Sequence, residues 1–259
     1  MPSHFTMLGF PAETREEIGS LMYEAARYSD SYDAPSGFYA QFAAGEVELW
    51  IQSVPDGTKR RIVGINPHYS GNSRMLVKVI KTVVDPEFPL DGAFYAWANP
   101  PEDETSGGDY PFVFKVPNYE IALAKLTLPA VVTVQIAAFA RRLDCFETDE
   151  SYREWQKGAE NSGEHGLATE AFIPTGLFIA QEKENKQPTA EALFSGHIEV
   201  AELRTNPVTN RQFQYLSVKT FGGTFDIITD PQIVQGQPLV GGVVEGSFWL
   251  SGKILGDRG

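Results

Sequence analysis

Residues 239–255 contain the most demanding pattern in the chain. Val244, Gly246, Phe248, Leu250, Gly252 and Ile254 alternate with Glu245, Ser247, Trp249, Ser251 and Lys253. Only a β-strand keeps a period of two over such a length, because its successive side chains point to opposite faces. A slip of one residue would expose Phe248 and bury Lys253, so the register is specified. Gly241, Gly242, Gly246 and Gly252 allow so long a strand to bend sharply.

The preceding segments carry the same signal. Residues 194–205 start with Ile198 and Val200 on one face and then change phase to Leu203 and Thr205, as a bulged strand does. The turn at 206–210 leads into a strand at 212–221, and Gly222-Gly223 closes a hairpin onto Phe225–Ile228. These strands resemble the OB-fold in layout, a small closed antiparallel barrel. Four strands are evident and the fifth is not. The expected core takes Ile198, Val200, Leu216, Val218, Ile227, Val244, Phe248, Leu250 and Ile254, with Trp249 on the opposite face, buried in a contact between domains.

The N-terminal part mixes strands with helix. Residues 4–10 read as a strand. Thr14-Arg15-Glu16-Glu17 is a capping box, followed by apolar Ile18, Leu21, Met22, Ala25 and Ala26 at helical spacing. A loop spans Tyr32 to Gly37. Strands are expected at 38–43 and 47–52 around an Ala44-Gly45 turn, then at 60–65, 74–84, 92–98 and 111–116. Residues 131–146 satisfy a helical stripe, but the β-branched run Val131–Val134 after Pro129 favours a strand, with a register break near Ala137-Ala138. A helix over about 149–157, capped by Thr148, follows. Residues 100–109 and 157–167 read as loops. Tyr39, Trp50, Tyr95 and Trp97 form either a binding surface or, as the balance of the pattern favours, a second packed face.

Gln181 to Pro188 contains no hydrophobic residue, which makes it the clearest boundary signal. The reading is therefore α+β: a mainly antiparallel domain over 1–187 with one or two helices, and an OB-like barrel over 188–259.

Composition excludes several functions. Thirty-four acids against twenty-one bases give a net charge of −13, and the tight basic cluster is confined to Lys59-Arg60-Arg61. Nucleic-acid affinity rests on clustered cations, so nucleic acid is not expected as a partner. No apolar run approaches the roughly 20 residues that span a bilayer, and the start lacks a basic and apolar leader. A soluble cytoplasmic protein is the expectation. Its one cysteine, Cys145, reads as a small buried hydrophobe.

No phosphate-binding glycine loop, nucleophile elbow or His-Glu-x-x-His motif occurs. The strand-helix-strand order, with His4 on the first strand and Glu48 on the third, resembles one vicinal-oxygen-chelate module, but a second module is not visible. No metal and no cofactor is assigned. The most unusual segment is Gly64 to Arg74, which gathers Asn66, His68, Tyr69 and Arg74 between glycines. These four are the candidate ligand-binding residues, with His68 as a proton carrier and Arg74 as an anion clamp. The competing structural reading is a wide polar turn. The resulting expectation is a binding or protein-interaction protein whose partner is a small molecule or another protein. The alternative is a small-molecule enzyme with its site at 64–74, which requires His68, Arg74 and an acid such as Glu48 to converge.

Overall fold

The computed structural model describes residues 3–102, 107–161, 166–182 and 187–257. Expected loops and linker therefore lie partly outside it: 103–106, 162–165 and 183–186 are not among the described residues. The fold is mostly β, with four α-helices among the described residues.

The first residues correct an expectation. Thr6–Leu8 form a buried 3-10 turn, ended by Gly9 at φ 78°, where a strand was expected. Phe5, Met7, Leu8 and Phe10 are all buried, so this segment packs on every side and has no outward face for a strand to show. Helix α1 (Arg15–Arg27) follows, with Thr14 and Glu17 forming the expected capping box.

Strands β1 (Asp30–Ala34), β2 (Gly37–Ala44), β3 (Val47–Asp56) and β4 (Lys59–Tyr69) form a four-stranded antiparallel sheet in sequential order. Two segments read as loops are strands here. β1 occupies part of 32–37, and β4 continues through residues 66–69. Pro67 is tolerated because β4 is an edge strand, with β3 as its one neighbour among the described residues.

The second sheet is larger and mixed. It contains β5 (Met75–Val84), β6 (Gly92–Ala98), β7 (Pro111–Lys115), β8 (Ala130–Phe146), β9 (Ala171–Ile173), β10 (Glu191–Thr205), β11 (Gln212–Thr220), β12 (Gly223–Thr229), β13 (Val234–Gln235) and β14 (Val243–Asp257). Helices α2 (Tyr119–Leu123), α3 (Asp149–Asn161) and α4 (Thr175–Glu182) connect these strands. Residues 130–146 thus form a strand and not a helix. Their register break falls at Arg141, where β14 skips from Arg142 to Ala140, and not at Ala137-Ala138.

β8 and β14 pair along most of their length and belong to two closed circuits. One runs β8-β5-β6-β7-β14, the other β8-β12-β11-β10-β14. The second contains the four C-terminal strands seen in the sequence, and its fifth strand is β8. The pairing of β8 with β14 crosses the boundary placed at 187/188. Ile198, Leu216, Val218, Ile227, Val244, Phe248 and Leu250 are buried in one apolar cluster, with Ile254 against it. Val200 packs instead in the neighbouring cluster, because Glu199 is bulged out of the β10–β11 ladder and the face changes there. Trp249 is half-buried and stacks on His4 with ring centroids 4.3 Å apart.

Candidate functional site

β-strands place alternate side chains on opposite faces, and one face of the large sheet packs the main apolar cluster. Gln135 on β8, Asp226 on β12 and Ser251 and Lys253 on β14 occupy the other face. The end of the small sheet covers these four positions with polar contacts from His68 and Glu48, beside an apolar cluster in which Val47, Leu49, Ile51 and Tyr69 meet Ala137, Phe139 and Ile228.

His68 lies at its centre, fully buried. Its Nε2 is 2.8 Å from Gln135 Oε1, and its Nδ1 is 2.9 Å from the Ser251 hydroxyl. Gln135 Nε2 donates to Asp226 Oδ2 at 2.8 Å. Gln135 thus presents its NH2 to Asp226 and its carbonyl to His68. The His68 Nε2 therefore carries the proton and Nδ1 accepts from Ser251. Burial pushes the His68 pKa down to about 4, against the pull of Glu48, so the ring is neutral at neutral pH.

Glu48 lies across the β3–β4 ladder from His68. It accepts from Trp50 Nε1 at 2.8 Å, Ser70 Oγ at 2.6 Å and Lys253 Nζ at 2.6 Å. Burial alone would raise its carboxyl. The facing His68, Lys253 and the Ser70 hydroxyl hold it below the usual range. His4, which the module likeness set on the first strand opposite Glu48, is not on a strand and stacks on Trp249.

The glycine-bounded segment has an internal ligand. Asn72 N and Ser73 N donate to the two oxygens of Asp226 at 3.2 and 2.9 Å, and Tyr215 OH donates at 2.9 Å. Gly71 makes this approach possible, since a Cβ there would fall on the Asp226 carboxylate. Successive backbone N–H groups make an anion-binding concavity, and here the anion is the chain's own side chain.

The four candidate residues are not gathered around one opening. His68 is enclosed. Tyr69 is buried, packs on Phe213 and Tyr215, and its hydroxyl meets Arg204. Arg74 is exposed and donates to the carbonyls of Gly71 and Ser73, which closes the loop and leaves no clamp on His68. Asn66 points elsewhere, donating to Asp91 Oδ1 at 3.0 Å.

Asn66 instead belongs to an open cleft of about 430 Å³. One wall is β4 from Arg61 to Asn66, the other is the loop from Glu87 to Asp91, and Gln52 and Val54 contribute from β3. Leu90 anchors the loop, because its carbonyl accepts from Tyr39 OH at 2.7 Å and Gln52 Nε2 at 2.9 Å. Tyr39 and Trp50 are therefore buried under the loop and form part of a packed face. Gly64 leaves room for the Gln52 amide. Phe88, 56% exposed, stands on the rim. Beyond Phe88 and Asp91 a second hollow of about 390 Å³ includes Lys115, Arg141, Glu191 and Trp249. Lys115 pairs with Asp91 at 2.9 Å, and Arg141 with Glu191 at 2.5 Å.

Sequence reasoning overlooked Gln135, Asp226 and the 87–91 loop. A glutamine inside Val131–Ala140 and an aspartate inside Phe225–Ile228 were the available signals, since an unpaired polar group buried among such neighbours is costly. No family model matches the chain, and no curated protein or solved structure matches it. Among the described residues no group of three or more metal-ligating side chains is gathered.

Proposed function

We propose that this is a non-catalytic, cytoplasmic binding protein that takes a small molecule or a segment of another protein into the cleft between β4 and the 87–91 loop. The observation that carries this reading is the division of polar groups between closed and open places. In and beside the glycine-bounded segment, the groups with the chemistry for acid–base work, His68 and Glu48, are buried with their hydrogen bonds already made. The cleft offers apolar surface from Ile62, Val63, Ile65, Phe88 and Leu90, with a few polar groups to orient a guest: Arg61, Asn66 and Asp91. Mostly apolar lining with sparse oriented polar groups is how binding sites are generally built. The enzyme alternative at 64–74 has no support from Arg74, whose guanidinium is held by Gly71 and Ser73. The OB-fold likeness of the C-terminal strands enters as an architecture only, with β8 taken as the fifth strand.

The test is a thermal-shift screen of nucleotides, sugars, amino acids, dicarboxylates and short peptides, followed by hydrogen–deuterium exchange with each hit. A guest at one hundred times its Kd stabilises the fold by about 2.7 kcal/mol. The expected result is protection of 61–66 and 87–91, lost in a Val63→Asp, Phe88→Ser double variant. Protection confined to other segments, or turnover of any hit, would overturn the reading.

A further inference from the structure

The cleft has a feature that a pocket for small molecules does not need: one wall is an unpaired strand edge. Pro67 has no N–H, so its position in the ladder faces away from β3, and Ile65, two residues earlier, turns its N–H and C=O the same way. On the other side of the bulge, Pro55 faces Arg60 across the ladder, which marks that pair as not hydrogen-bonded. Ile62, two residues on from Arg60, therefore also directs its backbone groups outward. Ile62 and Ile65 both line the cleft. Between them the bulge leaves Val63 outside the ladder and 36% exposed.

Charge marks the open end of this edge. Lys59 and Arg61 make no ion pair among the described residues, whereas Arg60 is held over the Phe38 ring at 3.5 Å and donates to Ser31 Oγ at 2.7 Å. In a chain of net charge −13 this is the one run of three consecutive bases. The opposite edge of the same sheet, β1, is the reverse: short, exposed and acidic through Asp30 and Asp33. Sheet edges are commonly protected by charge, proline or a bulge. β4 has all three, yet its middle is left as a cleft wall with apolar side chains around it.

We infer that the β4 edge is a docking site for an acidic, extended peptide segment of a partner protein, which adds a strand beside Ile62 and Ile65. This rests on the cleft being the binding site. Main-chain hydrogen bonds to Ile62 and Ile65 hold the segment, as in strand addition to other open sheets. An Asp or Glu of the guest meets Arg61 and Lys59, and an apolar side chain sits between Val63 and Phe88.

A random heptapeptide display library panned against the whole protein tests this. The recovered sequences should be enriched in Asp and Glu together with β-branched residues. Their synthetic forms should bind at least tenfold more weakly to Arg61→Glu and to Ile65→Pro. Should Ile65→Pro prove misfolded, the same peptides N-methylated at alternate amides are tried on the unaltered protein, with the same tenfold loss expected. Recovery of no peptide, or equal binding after N-methylation, overturns the inference. So does recovery of basic peptides. Sedimentation showing self-association lost in Ile65→Pro would give the edge to a second copy of the chain and overturn it as well. A small molecule that protects 61–66 when no peptide binds would leave the cleft as the binding site and remove only the strand-addition mode.

Discussion

β4 passes through two environments within its 11 residues. From Pro67 to Tyr69, and on through the loop to Ser73, it faces protein, and the internal polar groups are satisfied by the chain itself. From Arg61 to Asn66 it borders an open cleft, with the backbone groups of Ile62 and Ile65 turned away from β3. The closed half holds the residues that look chemical: a histidine, a tyrosine and a glycine-bounded anion loop. The open half looks ordinary, being isoleucine, valine and arginine. Residue chemistry in a segment is thus a poor guide to function until it is known which side of the strand is wet. A histidine with both nitrogens bonded inside the fold is a fastener, and a valine left out of a ladder is where the proposed guest would sit.

The contrast is broken most severely at the anion loop. Asp226→Ala strands four donors, from Asn72, Ser73, Gln135 and Tyr215, the last three in buried contacts. Each buried donor left unpaired costs about 1–3 kcal/mol, so chemical denaturation should show this as the largest loss of the series. Gly71→Ala should approach it, because the new Cβ displaces the same carboxylate.

His68→Leu comes next. It leaves the Gln135 carbonyl without its partner, a loss of about 1–3 kcal/mol, while the Ser251 hydroxyl keeps only the Pro67 carbonyl at 3.4 Å. The two sheets should separate more readily while each keeps its far-ultraviolet signature.

The closed half also carries an acid sensitivity. His68 and His4 are both pushed down to about 4 by burial, from an ordinary 6.5. A histidine held neutral in the fold is protonated first in the unfolded chain. Its contribution is complete above pH 6.5 and is lost as pH falls from there toward about 4. His197 works in the opposite sense. Burial would lower it, but Glu170 and Asp149, each 3.0 Å from one ring nitrogen, outweigh this and raise it. Its contribution is complete below pH 6.5 and is lost as pH rises through its raised value. Urea midpoints across pH 4–8 should show the acid loss shrinking in His68→Leu. Imidazole NMR should show His197 titrating above 6.5 and His68 unmoved there.

The smallest effect belongs to the open half. Ile65→Pro removes an N–H that bonds to no neighbouring strand and should change stability by less than about 1 kcal/mol. Ile51→Pro, directly across the ladder, breaks a bond to β2 and leaves a buried acceptor, costing about 1–3 kcal/mol. Equal losses from the two would mean that β4 has a second neighbour.

Much of this frame was legible from periodicity. The alternation at 239–255, the capping box at Thr14 and the β-branched run at 131–134 each fall on the observed element, and the phase shift in 194–205 is present but one step earlier, at Glu199, because burial of one face imposes a period that the sequence has to carry. The site was legible only in outline. His68 was conspicuous, but alternation assigns Ser251, Lys253, Gln135 and Asp226 merely to a second face. It does not say whether that face meets water or another sheet. The same ambiguity hid β1, whose residues are all polar except Tyr32 and Ala34, and β4 beyond residue 65, where Pro67 argued for a turn. The cleft itself depends on a loop at 87–91 that meets β4 only in three dimensions, about twenty-five residues away in sequence.

The two-environment account of β4 is tested most directly by amide hydrogen exchange of the native protein, followed residue by residue by NMR. Asn66 and His68 direct their N–H groups to β3, while Ile62 and Ile65 direct theirs into the cleft. The account predicts slow exchange at Asn66 and His68 and rapid exchange at Ile62 and Ile65, within a single strand. Protection at Ile65 equal to that at His68 would contradict it, since it would show that the edge is already paired.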